Sequence, residues 1–161
     1  DRFRTFFLIV FNTHYLFYLM PLILHFHTEP LLLLTICMQM LSVFRTNSNL
    51  AESLFTALFL LINAPLLLSG FNFKIIILSI VFIFCNLMCS VMWEMWIVFG
   101  SGNANFVYFQ SLISTGAQAL ICCETIGAAR KVKAIKHIKD RLKRLDAKQS
   151  VTYSVKNEVV I

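Results

Sequence analysis

Residues 75–97 read IIILSIVFIFCNLMCSVMWEMWI, 23 positions in which Glu94 is the one charged side chain. About 20 apolar residues cross a bilayer as a helix, the form in which every backbone polar group is satisfied inside the segment. The stretch therefore predicts a membrane-spanning helix. Its end carries Trp93 and Trp96, and indole rings settle at headgroup level, so this end marks an interface.

Working outward, Gly70-Phe71-Asn72-Phe73-Lys74 turns the chain into this span. Before it, a helix is expected from Leu50 to about Ser69, started by the capping pair Asn49 and Glu52 and bent at Pro65. Leu31 to Phe44 is a shorter apolar run, at the length where re-entrant or tilted segments occur, and Pro30 suits its first turn. Phe3 to Leu24 forms another span, interrupted by Asn12, His14 and Pro21. On the far side, Phe106 to about Ala129 forms the last. The reading is an all-α, polytopic transmembrane helix bundle of about five spans, residues 31–44 being short enough to re-enter, over residues 1–129. Residues 130–161 form a basic tail.

Composition agrees. Hydrophobic residues make up 58% of the 161 and charged residues 14%, against about 25% charged in an average soluble domain. Sixteen Phe with five Gly and three Pro exclude a disordered or collagen-like chain. The spans leave no room for a separate soluble catalytic domain. Asp1 leads the sequence, and Arg2 and Arg4 run directly into apolar residues without a cleavage signature, which reads as the carboxyl-terminal portion of a longer protein. Cys37, Cys85, Cys89, Cys122 and Cys123 lie in apolar runs without metal-ligand spacing and read as small buried hydrophobes.

Residues 130–161 hold ten Lys or Arg against Asp140, Asp146 and Glu158. Directly after an apolar helix, such a surplus points to anionic headgroups and a cytoplasmic side rather than to nucleic acid. Val132, Ile135, Ile138, Leu142 and Leu145 form one apolar stripe, as on a helix lying along a membrane surface, and Gln149 to Ile161 shows no helical period. With the tail cytoplasmic, the loop Phe99 to Asn105 is lumenal and Lys74 cytosolic.

Candidates for chemistry are few. His25-x-His27-x-Glu29 lacks the spacing of a metal site, so no metal, cofactor or catalytic residue is assigned. Glu94 sits beside Trp93 at an interface, and Glu124 reads as a helix-interface hydrogen bonder. Gln39, Asn63, Asn86, Gln110 and Gln118 read as interhelical bonding groups, Gln110 and Gln118 also lining a cleft below the loop. Ser111, Thr115, Ala119, Cys123 and Gly127 recur every four residues as a seam against another helix, in this chain or a partner. In Gly100-Ser101-Gly102-Asn103-Ala104-Asn105, two glycines let the backbone approach a ligand, and Ser101, Asn103 and Asn105 supply neutral donors and acceptors. Either asparagine also suits a helix cap.

From Ser90 to Phe109, SVMWEMWIVFGSGNANFVYF resembles the class U subunit of glycosylphosphatidylinositol (GPI) transamidase: Trp93 and Trp96, then a glycine, serine and two asparagines one residue apart, then Phe106 and Tyr108. The likeness extends back through Phe17, Tyr18, Pro21, Glu29, Pro30, Phe44 and Arg45, and forward to Gln118 and Glu124. It covers residues 1 to about 130, and the tail departs from it.

The resemblance implies a multi-pass subunit in the endoplasmic reticulum membrane, part of a glycosyltransferase-like membrane fold. It implies a noncatalytic role in recognising the GPI lipid, with Asn103 and Asn105 at the GPI site beside Gly100, Ser101 and Gly102, and other transamidase subunits as partners. The alternative is a polytopic mannosyltransferase of the GPI pathway, which requires an acidic lumenal loop near its first spans. Residues 1–161 hold no such loop.

Overall fold

The computed structural model describes residues 2–44 and 50–158; the expected polar turn at 45–49 and its Asn49 cap lie outside them. In chain order the helices are α1 (Arg2–Thr13), α2 (Leu16–Phe26), α3 (Pro30–Phe44), α4 (Leu50–Ile62), α5 (Ala64–Leu67), α6 (Lys74–Ile97) and α7 (Ala104–Glu158). No strand occurs among the described residues.

The amino-terminal run divides at His14-Tyr15 rather than at Pro21, which lies inside α2. There the backbone ladder changes spacing, from His14 N to Val10 O (3.0 Å) to Phe17 N on His14 O (3.1 Å). The break turns two rings toward α3: His14 meets Phe44 edge-on at 4.4 Å, and Tyr18 lies parallel to Phe44 at 6.0 Å. The bend expected at Pro65 is present, with Asn63 between α4 and α5 and Pro65 in the first turn of α5.

α6 and α7 form an antiparallel hairpin joined by residues 98–103, with Asn86 bonded to Ser114 midway along it. α3 runs antiparallel to α7, its start held near Lys136 through Glu29 and its far end near Gln118 through Ser42. Gln118 lies 14 residues, about 21 Å by helical rise, below Ala104. α3 therefore ends well short of the loop between α6 and α7. α4 returns alongside it, and Gly70 then brings the turn after α5 against α7.

Among the described residues, two helices are long and apolar enough to cross a membrane: α6 and the Ala104–Ala147 part of α7. The remaining expected spans are helices of 15 residues or fewer.

The tail differs from its expected form. α7 continues through Arg130 to Glu158, 55 residues in all, so neither a separate tail helix nor an irregular stretch from Gln149 exists up to that point. Residues 126–147 contain no proline, and Ala, Lys, Arg and Leu, all strong helix formers, dominate them. Without a break, α7 makes no turn onto a bilayer surface, and Ile135, Ile138, Leu142 and Leu145 remain exposed.

Candidate functional site

The loop between α6 and α7 is built back onto the last turn of α6. Val98 N and Phe99 N both reach Glu94 O, at 2.8 and 3.3 Å, and Ser101 donates from its amide (3.1 Å) and hydroxyl (3.4 Å) to Met95 O. These bonds satisfy carbonyls that a helix end leaves without partners. The reversal requires Gly100 at φ +62, the left-handed region that side-chain-bearing residues rarely adopt. Gly102 is required for a different reason: a Cβ there would lie 3.1 Å from both N and Cα of Trp96.

Asn103 then starts α7. Its Oδ1 accepts the Asn105 amide at 3.1 Å, the capping arrangement that satisfies one of the helix's first free donors. Capping thus commits Asn103 Oδ1, while its amide NH2 and the Asn105 carboxamide lie outside the cap. Residues 99–106 are all exposed, and the Trp93 and Trp96 rings meet edge to face at 5.6 Å beneath them. The loop offers neutral donors, acceptors and close backbone approach, a set suited to phosphate oxygens or sugar hydroxyls.

Four of the five expected amides bond between elements. Gln118 donates to Ser42 Oγ (2.7 Å), Gln39 to Thr125 Oγ1 (3.4 Å), Asn63 to Thr35 Oγ1 (2.7 Å) and Asn86 to Ser114 Oγ (2.9 Å). The hydroxyl partners went unread in the sequence, although Thr35, Gln39 and Ser42 follow helical spacing and so share one face of α3. Gln118 faces α3, and the cleft expected to descend from the loop is instead a cavity of about 370 Å³ between α3, α4, α6 and α7, lined by Gln39, Asn86 and Gln118 among apolar walls.

Glu124 takes the interface bond expected of it, accepting from Asn72 at 3.3 Å, and Lys131 donates to the same amide's Oδ1 at 3.2 Å. Glu29 pairs with Lys136 at 3.7 Å and His27 Nδ1 lies 3.1 Å from Leu24 O, so His27 and Glu29 point to separate partners. Among the cysteines, Cys85 and Cys122 are buried but Cys123 is exposed. Within the chain, the buried face of α7 is Ser114, Ala117, Gln118, Ile121, Cys122, Thr125, Ala128 and Ala129. The stripe Ser111, Thr115, Ala119, Cys123 and Gly127 lies beside that face, half-buried to exposed.

All-helical among the described residues, with a 24-residue apolar helix that buries only Cys85 and an interior joined by amide–hydroxyl pairs, the chain has the build of a helical membrane protein. Residues 1–114 match the family described as GPI transamidase subunit PIG-U. The chain belongs to that family. It is 30% identical over 122 residues, 75% of its length, to the GPI-anchor transamidase component PIGU of Mus musculus and equally to that of Homo sapiens. Against the GPI transamidase component of Saccharomyces cerevisiae it is 28% identical over 133 residues, 83% of its length. The match covers 27% of the mouse and human relatives and 33% of the yeast one.

Proposed function

We propose that this chain is a noncatalytic membrane part of GPI transamidase in the endoplasmic reticulum, and that its loop at residues 98–105 contacts the phosphate or inositol region of the GPI lipid. One observation carries the reading: within the family-matched region, an exposed asparagine pair stands beside an interfacial Trp pair on a backbone shaped by Gly100 and Gly102. Most polar groups of the interior are amides and hydroxyls bonded between helices, which suits packing. The half-buried stripe from Ser111 to Gly127 is then the seam for another subunit, and the basic half of α7 is cytoplasmic.

The test separates ligand from cap. Asp at position 103 keeps the capping oxygen, and Asp at 105 leaves the cap untouched, but either places a negative charge against a phosphate. Asn103→Asp and Asn105→Asp should leave assembly intact while lowering surface display of a GPI-anchored reporter at least about tenfold, since hydrogen bonds to charged groups contribute about 1.5–3 kcal/mol. Cells lacking the native subunit provide the background. Full rescue by both variants would reduce the loop to a cap. Protease added to sealed microsomes should remove the basic half of α7; cleavage only after detergent would invert the orientation.

A further inference from the structure

At the opposite end of the molecule from that loop, 26 residues or about 39 Å along α7, a groove of about 690 Å³ lies between the end of α2 and the first charged turns of α7. Its lining includes His25, Gly127, Arg130, Lys131, Lys133 and His137, and no carboxylate among the described residues. Glu29 and Asp140 line a neighbouring depression that shares Lys133 and His137 with the groove, and Glu29 is held there by Lys136.

The cations are held by neutral oxygens. Lys133 Nζ donates to His25 O and lies 6.0 Å from the centre of the Phe26 ring, and Lys131 Nζ donates to Asn72 Oδ1. Neither contact is with a carboxylate, and although Glu124 accepts from the same Asn72 side chain, three permanent cations share one concavity against that single acid at its Lys131 edge. The groove's own imidazole registers them: desolvation first, then Lys133 and Arg130, hold His25 below its ordinary pKa.

Position identifies the occupant. Arg130 is the first charge after the apolar stretch of α7, and Lys74, at the start of α6, lies two residues from the Asn72 that binds Lys131. The groove therefore sits at the depth where the apolar helices leave the hydrocarbon. Cations at that depth attract acidic lipid headgroups by about fivefold each. We propose that this groove holds the phosphodiester headgroup of one anionic glycerophospholipid, of the phosphatidylserine or phosphatidylinositol type, between Arg130, Lys131 and Lys133. The site is independent of the GPI loop, and its test reads lipid retention, not GPI attachment.

The assembled complex, reconstituted in nanodiscs of phosphatidylcholine containing a minor fraction of phosphatidylinositol, should retain one fewer tightly held anionic lipid in native mass spectrometry when it carries Arg130→Gln with Lys131→Gln. Two cations removed should weaken retention on the order of twentyfold. Arg130→Lys should retain the lipid, as should the distal quadruple variant Lys139→Gln, Arg141→Gln, Lys143→Gln, Arg144→Gln. If the double variant does not assemble, Arg130→Gln alone should still show a fall of about fivefold. Three results overturn the proposal: groove variants that retain lipid like wild type, equal loss from the distal variant, which would mean diffuse attraction by the whole basic helix, or displacement of the lipid by inorganic phosphate, which would assign the groove to a soluble anion.

Discussion

α3 and α6 are sorted in the reverse of the order they would take in water. α6 is 24 residues of nearly unbroken hydrophobicity, yet Cys85 is its only buried residue. α3 has 15 residues and buries Leu32, Thr35, Ile36, Gln39, Met40 and Ser42, half of them polar. In a soluble core the apolar helix would be inside. Lipid tails are as apolar as Leu, so burying Ile or Phe from lipid gains little, and association rests on close packing and hydrogen bonds. α3 brings hydroxyls and an amide that need partners. α6 brings little that lipid cannot satisfy, and is held to α7 chiefly along the face of Cys85 and Asn86.

If close packing orders the interior, the largest loss should come where backbones touch. A Cβ on Gly70 would lie 2.5 Å from Ala128 O and 2.9 Å from its Cα, so Gly70→Val must force the turn after α5 away from α7. Overpacking of this kind costs about 1–3 kcal/mol, and backbone on both sides puts this site at the upper end. Thermal unfolding in mild detergent should show the loss. Gly116 is the control, because a Cβ there meets nothing within 4 Å, and Gly116→Ala should stabilise by up to about 1 kcal/mol through helix propensity. Equal behaviour of the two glycines would contradict the packing account.

The hydrogen-bond half of the comparison predicts smaller and paired effects. Gln118→Leu leaves the buried Ser42 hydroxyl without its 2.7 Å donor, costing about 1–2 kcal/mol. Adding Ser42→Ala removes the orphaned group, so the double variant should regain most of the loss. Asn63→Leu should cost more than either single change, since Asn63 Nδ2 reaches both Thr35 Oγ1 (2.7 Å) and Phe59 O (3.0 Å). Strictly additive losses at 118 and 42 would mean that the pair does not interact in the bilayer.

Much of this arrangement was legible in the sequence. The helical class, the long apolar helix ending at Ile97, the bend at Pro65 and most of the bonding amides follow from residue type and local spacing, and the family from the resemblance carried by residues 90–109. What was hidden depends on which helices meet. The seam of α7 was read from its small residues, Ser111 to Gly127, whereas the face packed within the chain is the neighbouring one, centred on Gln118 and Thr125. Small side chains permit close approach on any face, and only partners on α3 select which one is used. Gly70 looked like an ordinary turn residue until Ala128 came against it. The cap at Asn103 could be read, but whether Asn103 or Asn105 made it required the loop's path. The helix of the tail was legible but its continuity with the last span was not, because its apolar stripe satisfies a surface helix and a continuous one equally; the absence of any breaker after Gly127 was the better signal.

The smallest predicted effect is the sharpest test of the comparison, because it applies one chemical change to both helices. Ile36 on α3 is fully buried and Ile80 on α6 is 62% exposed. Ile→Val removes one methyl group at each. At Ile36 the neighbours are fixed by the bonds of Thr35 and Gln39 on either side, the vacated space persists, and the loss should be about 0.5–1.5 kcal/mol. At Ile80 the surroundings are mobile acyl chains that close over the missing methyl, and transfer between lipid and protein gains almost nothing. Ile80→Val should therefore change stability by less than about 0.3 kcal/mol, well below the spread expected for core methyl deletions. Both variants should be measured in the assembled complex in lipid nanodiscs. A cost at Ile80 matching that at Ile36 would show that the outer face of α6 packs on another subunit, and the apolar helix would then be as interior to the complex as the polar one is to the chain.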